Sequence, residues 1–132
     1  MQQHLHLWKE QLHKKTSPEL KLLLSFFDYE RTAPLKRNSD FSFEKFLKLL
    51  GRHRIRPSIL EKIDEFKVVF TSEELEQIKA LSTPFLLRQM KLTQVAIIVI
   101  SAFQESGIQV IPFKGQFLSK KLFDSYTFRE TR

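Results

Sequence analysis

Hydrophobic positions along this chain recur mostly three and four residues apart, the spacing that puts side chains on one face of a helix. Leu5, Trp8 and Leu12 follow it and predict a first helix over residues 2 to 14. In "TSPEL", Thr16 or Ser17 can accept hydrogen bonds from orphan backbone N–H groups, Pro18 fits a first turn and Glu19 suits the helix dipole. A second helix is predicted there, turning Leu20, Leu23, Leu24 and Phe27 inward. Residues 28 to 40, "DYERTAPLKRNSD", carry turn formers without periodicity and predict a surface connection. Phe43, Phe46, Leu47 and Leu50 then mark a third helix, with Asp40 or Ser42 as cap and Gly51 near its exit.

In "GRHRIRPSILEKIDEF", Pro57 opens a fourth helix, and "TSEELEQIKAL" repeats the start logic with Thr71 and Glu74 at capping-box spacing. Pro84 is predicted to restart or kink that helix. From Phe85 an apolar-rich segment runs to Ser106, with Gly107 placed to end it in the left-handed conformation, and it is expected to be the central, most buried helix. Its longest unbroken apolar run, "VAIIVISAF" from Val95 to Phe103, falls well short of the roughly 20 residues of a spanning helix, so it reads as a buried element and no membrane partner is expected. "IQVIPF", Ile108 to Phe113, is rich in β-branched residues and predicts the first strand. Gln116 to Phe123 returns to helix, and "DSYTFRETR" becomes extended near Tyr126 to Arg129.

With 132 residues, the chain is expected to form one folding unit, a helical region over 1–106 leading into the start of an α/β element over 107–132. The expected fold class is mainly α, an N-terminal helical bundle joined to a small, incomplete strand-turn-helix. Thirteen Phe in a chain that is 42% hydrophobic imply a packed core rather than base-stacking platforms, and three glycines favour helices over a many-turned β fold. The absence of cysteine excludes disulfides, thiolate metal sites and a cysteine nucleophile. "MQQHLHLWKEQLHKK" lacks the apolar stretch of a secretory signal, and a cytoplasmic location is expected.

A net charge of +7 favours polyanionic partners such as nucleotides, nucleic acid or acidic surfaces. Arg52, His53, Arg54 and Arg56 concentrate that charge just past a helix end, as a solvated basic joint or as a wall of a phosphate or nucleic-acid site. His4, His6 and His13 have no acidic or thiolate partner at ligand spacing, and no Ser-His-Asp arrangement is legible.

The remaining candidate is Lys114-Gly115, between the predicted strand and helix. A glycine there lets a phosphate approach the backbone, the helix N-terminus offers unpaired N–H groups, and the lysine adds charge. The dipeptide has neither the Walker A spacing nor the Gly-x-Gly-x-x-Gly pattern, so its local chemistry by itself reads as a structural turn sooner than as a site.

The passage from Leu92 to Arg132 resembles an uncharacterised bacterial branch of the polymerase-beta-like nucleotidyltransferase superfamily. In that branch a long helix ends at Gly-Ile, a strand runs into Leu-Lys-Gly, a helix ends at Leu-Tyr, and an Arg precedes an Asp-Ile-Asp motif. Gly107-Ile108, Phe113-Lys114-Gly115, Leu122-Phe123-Asp124 and Arg129 stand in those places, and His53 and Pro57 look similar to an earlier part of the pattern. Phe113 replaces the usual Leu and Phe123 the usual Tyr. The resemblance is looser over about residues 43 to 91 and says little before them.

The resemblance implies a nucleotide triphosphate as ligand, an acceptor it does not identify, and Mg2+ or Mn2+ held by the Asp-x-Asp carboxylates. It assigns Lys114, Gly115 and Arg129 to phosphate binding. The Asp-x-Asp pair would follow Arg132, so the 132 residues are expected to bind nucleotide phosphate without transferring a nucleotide. The competing expectation is a basic helical interaction or nucleic-acid-binding module with no enzymatic activity. A strand at "VIPF" without sheet neighbours is also expected to promote self-association.

Overall fold

The structure, a computed structural model, describes residues 16–28 and 30–130. Six helices and no strand occur among these residues. The helix predicted over residues 2 to 14, with its three histidines, lies outside them.

Helix α1 spans Pro18–Phe26, with the Ser17 hydroxyl accepting from the Leu20 N–H at 3.3 Å. Its buried face is Glu19, Leu22, Leu23 and Phe26, rotated from the predicted stripe so that Leu24 is exposed and Leu20 and Phe27 are only partly covered. Glu19 explains the rotation. Its carboxylate accepts the Ser42 N–H at 2.8 Å, which fixes this face towards the next helix.

Helix α2, Phe43–His53, is capped by Ser42 and buries Phe46 and Leu50. Gly51 lies inside it; the exit falls instead at Arg54, whose left-handed backbone (φ 56°, ψ 41°) forms the C-cap. Helices α3, Arg56–Glu61, and α4, Ile63–Phe66, follow, with Pro57 in the first turn of α3 as predicted. Helix α5, Ser72–Glu105, begins with the full capping box, since the Glu74 N–H donates to the Thr71 hydroxyl at 3.2 Å and the Thr71 N–H to the Glu74 carboxylate at 3.0 Å. Pro84 sits within α5 without ending it. Helix α6 is Gln116–Phe123.

The core forms where α1 packs on α2 and α3 on α5. Phe26 and Phe66 stack with ring centroids 3.5 Å apart, and Phe46 and Phe70 close around them together with Leu22, Leu50, Ile59 and Ile78. Phe26, Phe46, Phe66 and Phe70 are core residues, whereas Phe103, Phe113 and Phe123 are exposed and do not bear out the expectation of a core role for every phenylalanine.

Two further expectations fail. Helix α5 is continuous, but it is not the most buried helix. Leu75, Ile78 and Ser82 enter the core, whereas Met90, Val95, Ile98 and Val99 are each roughly half exposed or more, and the buried positions further along are the polar Gln89 and Thr93. The unbroken apolar run understated this helix: at 34 residues it is, among the described helices, the one long and apolar enough to cross a membrane by length and composition.

The strand is also absent. Ile108–Phe113 follows a turn in which Gly107 adopts φ 74°, and within it only the Ile108 N–H, bonded to Phe103 O at 2.9 Å, closes back on α5. Ile111 is 88% exposed and Phe113 80%. β-Branched composition favours a strand, but a strand exists only by pairing, and no described segment pairs with this one. The predicted α/β unit is therefore an irregular connection leading into a helix.

Candidate phosphate-facing cleft

A cleft of about 1090 Å³ opens between the C-terminal half of α5, the irregular connection, α6 and the segment that follows it. Leu92, Ala96 and Ile100 of α5, with Leu122 of α6, supply apolar walls. Lys114, Gly115 and Arg129 all line it, joined by Arg54 and Glu130.

Gly115 creates the turn into α6. Its φ of 75° with ψ −136° belongs to a region that only glycine occupies without strain, and no side chain caps the helix it starts. Lys114 and Arg129 are exposed, and Lys114 Nζ lies 5.7 Å from the Phe113 ring. No described carboxylate forms an ion pair with Lys114, Arg129 or Arg54.

The position of Arg129 depends on contacts from far away in sequence. Asp124, left-handed at φ 54°, turns the chain back at the end of α6. A hydrogen bond from Lys120 holds the Asp124 carboxyl below its ordinary value, and the same bond raises the lysine. The Ser119 hydroxyl donates to Ser125 O at 2.7 Å, and the Ser125 and Thr127 hydroxyls both donate to one Glu61 oxygen, at 2.7 and 2.9 Å. Phe128 stacks on Phe123 at 4.1 Å and meets Phe27 edge-on. The Glu130 N–H donates to Arg54 O at 2.9 Å.

The Arg56 guanidinium closes this arrangement. It donates from Nε and Nη2 to the two Glu130 oxygens at 2.5 and 2.8 Å while lying 3.3 Å above the Phe85 ring. Nothing in the local sequence marks Glu130, because its partner is 74 residues away. The basic joint is likewise divided by the fold. Arg56 is engaged, Arg54 lines the cleft, and Arg52 and His53 face solvent.

This donor set does not suit a divalent cation. Among the described residues, Glu130 is the one carboxylate on the cleft wall and both its oxygens are taken by Arg56, and no group of three or more His, Asp or Glu able to hold a metal occurs. The site offers positive charge and backbone N–H groups, the chemistry that receives an anion.

Among the described residues, a glycine turn thus opens a helix on a cleft that Lys114, Arg54 and Arg129 also line. The family described as uncharacterised nucleotidyltransferase matches residues 39–132, and the chain belongs to that family. No curated protein and no solved structure matches it.

Proposed function

We propose that the cleft binds the phosphates of a nucleoside triphosphate, with Lys114 and Arg129 supplying charge and the Gly115 turn letting the phosphate approach the α6 backbone. The gathering of these residues on one cleft carries the reading, together with the family to which the chain belongs. The residues bind and orient phosphate; no group of three or more His, Asp or Glu able to hold a Mg2+ or Mn2+ ion occurs among the described residues, and the proposed role of those residues is phosphate binding without nucleotide transfer.

The test is calorimetric titration with ATP, alongside incubation with α-labelled ATP and magnesium or manganese. Binding that weakens on Lys114→Ala, with no labelled product, is the expected result. Turnover by this chain alone would sink the inactivity claim, and Lys114→Ala binding ATP like the wild type would sink the site. RNA binding that falls steeply with salt and with Arg52→Ala, in the absence of nucleotide binding, would favour the basic interaction module.

A further inference from the structure

Arg54 stands apart among the cleft residues because its backbone is in a region disfavoured for a residue with a Cβ, and several contacts keep it there. Its N–H bonds to Leu50 O and Gly51 O, and its carbonyl accepts the Glu130 N–H at 2.9 Å. Glu130 is in turn held by the two-point bond to Arg56, and Arg56 by the Phe85 face. A left-handed non-glycine residue persists where its surroundings over-determine it, and such residues concentrate at ligand sites. The consequence is positional. The bond between Glu130 and Arg54 joins the backbones that carry Arg129 and Arg54, and both residues line the cleft that Lys114 also lines.

The cleft therefore carries three cations without described carboxylate partners, while Glu130, the one acid among its described lining residues, is already neutralised by Arg56. Like charges held together disfavour one another unless an anion joins them. Arg54 also brings a planar fork that can hold two phosphate oxygens at once.

We infer that Arg54 is the third anion-binding side chain of this cleft and that the Arg56–Glu130 pair is its positioning device. The inference rests on the proposed phosphate-binding reading and adds to it a residue and a support.

The experiment titrates the full chain and its Arg54→Gly, Arg54→Lys and Lys114→Ala variants with ATP, AMP and inorganic tripolyphosphate, and records thermal melts of each. Glycine suits the left-handed backbone, so Arg54→Gly should melt no lower than wild type. It should still lose about ten- to a hundredfold in affinity for ATP and tripolyphosphate, the size of one charge-assisted contact. Arg54→Lys should retain part of the affinity. If Arg54→Gly binds ATP like the wild type while Lys114→Ala does not, the role of Arg54 is refuted and the cleft reading stands. If the wild type binds none of the three ligands, the cleft reading falls and this inference with it.

Discussion

The Arg56–Glu130 pair offers a quantitative test of how the segment after α6 is held. Its side chains are 17% and 8% exposed, its two hydrogen bonds are parallel, and the guanidinium rests on an aromatic face. Exposed ion pairs contribute about 0–1 kcal/mol, whereas removing one partner of a buried pair costs about 3–5 kcal/mol because the other charge is stranded. The lost contact with Phe85 adds about 0.5–2 kcal/mol for the arginine alone. Since the pair is close to buried but not fully so, Arg56→Ala should cost about 3–5 kcal/mol and Glu130→Ala about 2–4 kcal/mol. The double variant should cost less than the sum by about 2 kcal/mol, the coupling between the two. Urea unfolding followed by far-ultraviolet circular dichroism measures all four corners of the cycle. A coupling below about 0.5 kcal/mol would place the pair with screened surface contacts and refute its role as a support.

Replacing Gly115 with Ala should destabilise by about 1–3 kcal/mol, since φ 75° with ψ −136° is closed to a residue with a Cβ, and should show as a loss of helix signal from α6 in NMR chemical shifts. Glu19 is buried, which pushes its carboxyl up, but the Ser42 N–H, its own N–H, the Ser17 hydroxyl and Lys45 together hold it below its ordinary value. A depressed folded-state value means stability present above the unfolded carboxyl range, about pH 4 to 5, and lost as the pH falls through the folded value; Glu19→Gln should remove that part of the acid dependence in pH-resolved melts. The exposed apolar face of α5 and the unpaired backbone of 109–113 should drive concentration-dependent association, reduced by Ile98→Lys and Ile111→Lys in sedimentation velocity; wild type remaining monomeric at high concentration would refute it.

Local chemistry was legible in the sequence, and distant pairing was not. Thr71 and Glu74 announced the start of α5 because a capping box involves residues three apart, and Phe46 and Leu50 announced the buried face of α2 for the same reason. The face of α1 was misread because the carboxylate of Glu19, not hydrophobicity alone, sets it through Ser42, 23 residues away. Lys114 and Gly115 were singled out from their order in the chain. Arg129 came from the family pattern, and its support by Glu61, Arg54 and Arg56 could be found only in three dimensions. The failed strand has the same origin: β-branched residues state a preference, but a partner decides.

Helix α5 is about 51 Å long at the usual rise per residue, yet only its first third is anchored in the aromatic core. Its amides should accordingly divide into two kinetic populations. Those near Leu75 and Ile78 should exchange with solvent deuterium only when the whole molecule unfolds, and those from Val95 to Phe103 through brief local openings that leave the core intact. One continuous rod by geometry would then be two cooperative units by energy, with the divide near Gln89 and Thr93, where side-chain burial ends.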